Sequence, residues 1–294
     1  MTAQFKKHHN LHIWELNSPK SGPTLIIIGQ IHGNEPAGFE VIQRLLKIKK
    51  QLAKTMRGGR LILIHGNVKA SKSNKRYTNK GMDLNRTWLL PKEQKKYPPR
   101  RDSYEWKRHN EIKPFLQADK NTFLLDMHSS SNPTKPFLVL PSINRTYTRL
   151  INKLGVSALF GWNNLLPGER STLEWVNMHG GVGMGVECGQ HTDPKTVENA
   201  WQIAKQFLSI SFSCFKQKPV SPVKIFKMIK PITYTEKFKW KKKKIVGPLH
   251  LKKGEVYGVS AQGKLISPDD VYMFLPNAHP EPQNPDIGYI AKMM

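Results

Sequence analysis

Leu25-Ile26-Ile27-Ile28-Gly29-Gln30-Ile31-His32-Gly33-Asn34-Glu35-Pro36 decides how this chain is read. Its apolar opening fits a short buried strand that ends at Gly29. Beyond Pro36, the residues Val41, Ile42, Leu45, Leu46 and Leu52 fall near helical spacing and predict a helix over about Pro36 to Lys54. Strand ends in open α/β sheets are where ligands sit. His32 and Glu35, three apart in a Gly-containing turn, can aim an imidazole and a carboxylate at one ion, and zinc accepts that pairing with a position left for water. The pair suits equally well a loop histidine followed by a glutamate in a helix's first turn, where the helix dipole favours negative charge. The remainder of the chain decides between the two.

Upstream, Leu11 to Leu16 reads as an edge strand and Asn17 to Pro23 as a turn. Downstream, Arg60 to His65 is a second buried strand after Gly58-Gly59, completing a right-handed β-α-β unit. His65 reads as a structural histidine. Asn67 to Lys80 is a polar stretch of fourteen residues without apolar periodicity, followed by Asp83-Leu84-Asn85-Arg86. Loops of that length inside compact domains are often functional. Arg76 and Arg86 are therefore candidates for gripping an anion, since the planar guanidinium matches a carboxylate through two parallel hydrogen bonds.

Ser103 fits the N-cap of a helix carrying Tyr104, Trp106, Ile112 and Phe115. Asn121 to His128 reads as a third strand whose alternation puts Asp126 and His128 on one face. His128 fits a third metal ligand, with Asp126 placed to orient it. Phe137 to Leu140 continues the sheet, and a helix over Ser142 to Leu154 is closed by Gly155. Met184 to Glu187 is expected as the last strand of the large domain, delivering Glu187 to the sheet's C-terminal edge, where a carboxylate beside a metal site can serve as general base. Asp193-Pro194 then starts a helix with Val197, Ala200, Trp201, Ala204 and Leu208 facing inward.

The ordered set His32-Gly-Asn-Glu35, Asp83-Leu-Asn85-Arg86, Asp126-Met-His128 and Gly185-Val-Glu187-Cys-Gly resembles the succinylglutamate desuccinylase/aspartoacylase family of zinc-dependent amidohydrolases, over roughly residues 24 to 205. The resemblance implies an α/β, zinc-carboxypeptidase-like mixed sheet flanked by helices. It implies one zinc ion per chain held by His32, Glu35 and His128, with Glu187 as base and proton shuttle. Asn85 and Arg86 would hold the substrate carboxylate, and Arg76 would polarise the scissile carbonyl. Arg170 is a further candidate clamp for a carboxylate. The implied reaction cleaves the amide of a small N-acyl amino acid, of N-acetyl or N-succinyl type.

Beyond Phe215 the α/β rhythm gives way to short β-like stretches at Val223 to Met228, Ile232 to Phe238 and Glu255 to Val259, which predicts a small β domain of residues 215–294 after a domain of residues 1–214. The resemblance makes the first the zinc-dependent hydrolase domain, and because Ile266 to Pro276 resembles the family's C-terminal β region it implies that the second lies at the entrance to the site. Tyr257 and Tyr272 are its candidates for reaching the substrate.

Composition bounds the remaining readings. The 294 residues are 38% hydrophobic, enough for a sizeable core. No apolar run approaches the roughly 18 residues needed to span a bilayer, and the first residues lack an apolar stretch behind their lysines. Membrane insertion and export are therefore not expected, and with only Cys188 and Cys214 present the expected setting is a reducing cytoplasm. Lys and Arg number 47 against 21 acids, a net charge of +26. Arg44 to Arg76 contains no acid, and Lys216 to Lys253 holds thirteen lysines and one carboxylate, Glu236. Such charge draws anionic substrates or a polyanion. Two alternatives thus stand beside the amidohydrolase: a metallocarboxypeptidase acting on peptides, and a basic nucleic-acid or polyanion binder on a hydrolase scaffold.

Overall fold

The structure, a computed structural model, describes residues 3–162, 169–216, 222–233, 236–280 and 286–294. In chain order its first strands are β1 (Gln4–His8), β2 (Ile13–Asn17), β3 (Thr24–Gly29) and β4 (Arg60–His65), with α1 (Ala37–Lys47) and α2 (Lys49–Thr55) between the last two. Strands β3 and β4 are parallel, so the β-α-β unit forms as its apolar pattern requires. The expected single helix is two, broken at Ile48, whose φ of −101° and ψ of 19° leave the helical region. Leu11 to Leu16 is not the edge: β1, polar and without apolar alternation, pairs antiparallel outside β2.

The long polar stretch carries only one short helix, α3 (Val68–Lys72), and is followed by α4 (Pro91–Lys96) and α5 (Tyr104–Ile112). Ser103 caps α5 by accepting from the Trp106 backbone N–H at 3.1 Å. The sheet resumes with β5 (Thr122–Ser130) and β6 (Phe137–Leu140), then α6 (Arg145–Leu154), ended by Gly155 at φ 67°. A three-residue strand without a sequence signal, β7 (Ala158–Phe160), precedes α7 (Thr172–Met178), β8 (Val182–Gln190) and α8 (Lys195–Leu208).

The C-terminal strands are β9 (Ile225–Thr233), β10 (Lys239–Trp240), β11 (Leu249–Leu251), β12 (Val256–Ser260), β13 (Gly263–Ile266), β14 (Val271–Phe274) and β15 (Asp286–Met293). The strand expected over Ile232 to Phe238 is not formed as such: Ile232 and Thr233 end β9, Glu236 and Lys237 turn, and Tyr234 and Thr235 lie outside the described residues. One mixed sheet of twelve strands runs β1-β2-β4-β3-β5-β8-β6-β7-β9-β15-β14-β11, and β10-β12-β13 form a second, small one.

Alternation along the central strands separates two cores. Leu25, Ile27, Leu61, Leu63, Leu125 and Met127 face α1, α6 and α8, whereas Ile26, Ile28, Ile62, Ile64 and Leu124 face Trp88, Ile112 and Trp175 on the other side. All of these side chains are buried, each worth roughly 1.5–3 kcal/mol against exposure. Asp126 and His128 follow Leu124 on the second face. The packing of α1 on β3 is close enough that a Cβ at Gly29 would stand 2.3 Å from the Gly38 carbonyl carbon, which is why the strand must end in glycine.

Candidate metal centre and active site

Three parallel strand ends create the site. β3 delivers the loop with His32 and Glu35; β5 delivers Asp126 and His128; β8, paired with β5 so that His128 stands opposite Glu187, delivers the glutamate. His32 is 4% exposed and so is Glu35. His32 Nδ1 lies 2.8 Å from Glu35 Oε1, and His128 Nδ1 lies 3.0 Å from Glu35 Oε2. The ligand atoms of this trio all lie within 4.8 Å of one another.

Each imidazole is held from its far side. His32 Nε2 is 3.0 Å from Asp83 Oδ1, and His128 Nε2 is 3.3 Å from Asp126 Oδ2. A carboxylate on the second ring nitrogen fixes the ring and makes the first a better donor, the usual support for a metal-bound histidine. Two buried imidazoles and a buried carboxylate converging through Nδ1, Nδ1 and oxygen therefore fit a divalent cation. Burial alone would push the Glu35 carboxyl up, but His32 and His128 outweigh it and hold it well below the usual carboxylate range.

The loop before Asn85 supplies the next layer. Asp83 joins two functions, since its Oδ2 accepts from Arg76 Nε and Nη2 at 3.0 and 2.7 Å while Oδ1 holds His32. Arg76 Nη1 is thereby placed 3.7 Å from Glu35 Oε1. Asn85 Nδ2 is 3.3 Å from His128 Nε2, and its Oδ1 accepts from the Thr172 backbone N–H at 3.0 Å. Thr172 Oγ1 in turn donates to Asp126 Oδ2. Arg86 reaches Glu169 through Nε at 2.8 Å.

His32, Glu35, Arg76, Asn85, Arg86, His128 and Glu187 all line one cavity of about 790 Å³. Arg170 is not brought to it: its guanidinium turns to Glu93 at 2.8 Å and Glu174 at 3.2 Å. Tyr257 is buried in the C-terminal core and Tyr272 stacks on His250, so neither lines the cavity. Residues that the sequence did not single out do so, among them Asn132, Asn277 and Tyr289, whose hydroxyl donates to Asp286 at 2.7 Å. Period-two patterning in β15 could have put Tyr289 on a face, but not in a site formed by strands so distant in sequence.

Glu187 differs from the other carboxylates. Its Oε2 is buried and has no hydrogen-bond partner, and burial together with the nearby Glu35 charge pushes its carboxyl up to about 7. A group poised there can accept a proton at neutral pH and return it.

Solved structures share the fold over nearly the whole chain. Succinylglutamate desuccinylase from Vibrio cholerae superposes with a TM-score of 0.73 at 16% identity, over 99% of this chain and 91% of that one. A succinylglutamate desuccinylase/aspartoacylase from Rhodobacter sphaeroides gives 0.72 at 16% identity, over 96% and 88%. Murine aminoacylase 3 gives 0.66 at 17% identity, over 95% and 97%. Comparison with curated protein sequences gives no match. The family model of the succinylglutamate desuccinylase/aspartoacylase catalytic domain matches residues 21–208, nearly the whole of the α/β region that builds this site, and the chain belongs to that family.

Proposed function

We propose that the protein is a zinc-dependent amidohydrolase that splits the amide of a small, anionic N-acyl amino acid into a carboxylate and a free amino acid. The observation that carries this reading is the unpartnered Glu187 carboxyl beside the His32, Glu35 and His128 trio. Zinc held by those three residues would supply the Lewis acidity that makes water nucleophilic near neutral pH. Glu187 takes the proton of the attacking water as it adds to the amide carbonyl. The same carboxyl then gives that proton to the nitrogen as the carbon–nitrogen bond breaks. Arg76, held by Asp83, donates to the negative charge that develops on the carbonyl oxygen.

Asn85 and Arg86 are the groups for the substrate carboxylate. Residues 215–294 form the small β domain of this reading, contributing Leu275, Asn277, Asp286 and Tyr289 to the cavity wall. A volume of about 790 Å³ suits an acylated amino acid. The net charge of +26 supports an anionic substrate drawn in from the cytoplasm.

The test is metal content of the purified protein, followed on the same sample by amine release from N-acetyl and N-succinyl amino acids and from short peptides. About one zinc per chain with chelator-sensitive release from the acyl amino acids is the expected result. Turnover confined to peptides would replace this reading with a carboxypeptidase, and a protein with neither metal nor turnover would end it.

A further inference from the structure

Thirteen lysines and one acid lie between Lys216 and Lys253, and no arginine follows Arg170. The small sheet gathers part of that charge on one face. Lys239, Val259 and Lys264 form a single cross-strand row over β10, β12 and β13. The residues of the next row, Trp240, Gly258 and Leu265, face the protein: Trp240 and Leu265 pack on the core of Phe238 and Tyr257, and a Cβ at Gly258 would stand 2.6 Å from the Phe238 ring. The row of lysines therefore faces solvent. Lys241, two residues beyond Lys239, is also exposed, its backbone N–H bonded to Tyr257 O at 2.9 Å.

An apolar residue sits among these charges. Ile266 follows Lys264 by two, shares its face, pairs with Val256 and is 52% exposed. The neighbouring acids are partly spoken for. Glu255 is engaged by Lys242 and by the Lys252 backbone N–H at 3.0 Å, and Asp269 is paired with Lys292. Asp270, whose side chain is 67% exposed, accepts from the Lys253 backbone N–H at 3.3 Å and keeps its charge, as does Glu236 in the turn ahead of β10, so two acids stand against the lysines here.

We propose that this face of the small sheet docks the protein on an anionic lipid surface, with Ile266 entering the headgroup layer and Lys239, Lys241 and Lys264 meeting the lipid phosphates. Charge complementarity supplies the attraction, and exposed isoleucine among lysines is the composition of an interfacial anchor. Among the described residues no helix is long and apolar enough to cross a membrane, and the contact proposed is peripheral. A nucleic-acid partner fits less well. Among the described residues the exposed large aromatic side chains are Tyr77 and Tyr97, both outside this sheet, so the face has no stacking platform for bases.

The experiment is co-sedimentation of the full chain with vesicles of phosphatidylcholine and phosphatidylglycerol, against phosphatidylcholine alone, at rising salt. Binding is expected only to the anionic vesicles and should weaken with salt. Each lysine near such a surface contributes roughly a fivefold factor, so Lys239→Glu/Lys241→Glu/Lys264→Glu should lose about a hundredfold or more. Ile266→Ser should weaken binding with all charges kept, and thermal melts of each variant check folding. Should the triple variant fail to fold, Ile266→Ser and Lys264→Ala alone carry the test. Equal binding to neutral vesicles, or anionic binding unchanged in the folded variants, overturns the proposal. Absence of vesicle binding together with retention of a single-stranded oligonucleotide that Lys264→Ala weakens assigns the face to nucleic acid instead.

Discussion

Asp83 holds His32 from behind: Oδ1 lies 3.0 Å from the ring Nε2, which leaves Nδ1 directed at Glu35. Because Asp83 Oδ2 also accepts twice from Arg76, one side chain orients both a proposed metal ligand and the proposed polarising group. Asp83→Asn should therefore lower zinc affinity by about 10–100-fold, the usual effect of removing such a support. It should also lower kcat when zinc is saturating, because Arg76 loses an ionic partner. Chelator competition and kinetics at saturating zinc separate the two effects. Unchanged zinc affinity would remove Asp83 from the metal centre.

Glu187 gives the sharpest separation of binding from chemistry. Glu187→Gln should keep stoichiometric zinc and lose about 10²–10⁴-fold in turnover, the range for a general acid–base group. His128→Ala, by contrast, should lose the metal. In the wild type the base must be unprotonated, so kcat/KM should climb as pH rises toward the carboxyl's value of about 7 and level off above it. A cation at the trio adds positive charge next to this carboxylate and shifts the climb to lower pH. Full activity in Glu187→Gln would falsify the assignment.

How much of this was legible beforehand follows from what each feature depends on. His32, Glu35, Asp126, His128 and Glu187 could be placed because strand ends and period-two alternation are local properties of apolar runs. Arg170 could not, since its direction is set by Glu93, 77 residues away in sequence. The edge strand β1 carries no hydrophobic pattern, and the apolar Ala158-Leu159-Phe160 of β7 is too short a run to assign from sequence, the pairing of both being supplied by the finished sheet. Asp83 was visible only as part of a motif, and its bond to His32 spans 51 residues of sequence.

Glu105, on the first turn of α5 and outside every motif, ties down the loop that bears Arg76 and Asp83. Its Oε1 accepts from the Thr78 backbone N–H at 2.8 Å and Asn67 Nδ2 at 3.1 Å; its Oε2 accepts from Thr78 Oγ1 at 3.1 Å and the Met82 backbone N–H at 3.3 Å. A carboxylate can meet four donors, whereas an amide turns its NH₂ toward two of them. Glu105→Gln should cost about 1–3 kcal/mol of stability and lower kcat/KM, because the loop that carries Arg76 and Asp83 loosens. Gly81→Ala attacks the same place from the other side, because a Cβ there would stand 2.4 Å from Glu105 Oε2. Both variants should give matching losses in urea unfolding and in kinetics. Wild-type kinetics in either, with folding intact, would show that the loop is held elsewhere.

Two buried histidines that do not line the cavity contribute to the acid sensitivity of the fold. Burial, aided by Arg108 and His12, pushes His65 down to about 3; burial, aided by Lys113, pushes His109 down to about 4. His65 Nδ1 and His109 Nε2 are buried without hydrogen-bond partners, so neither ring has a ready acceptor for a second proton. The native state keeps both neutral while the unfolded chain protonates them near pH 6.5. Their contribution is constant above about pH 6.5 and falls on acidification below it, by about 1.4 kcal/mol per pH unit for each ring at most, until the folded values are reached. In the window from about pH 6.5 to 5 ordinary carboxylates have not yet titrated, and Glu15, held down to about 2 by Arg60, Asn17 and His8 against its burial, loses its contribution only in stronger acid. Glu187, held up at about 7, opposes the histidine slope there because the folded chain binds its proton first, while His12 and His191, also pushed down by burial, add to it. Urea midpoints across that window should decline less steeply in His109→Gln than in the wild type. An unchanged slope in that variant would mean that the ring takes its proton without opening the fold.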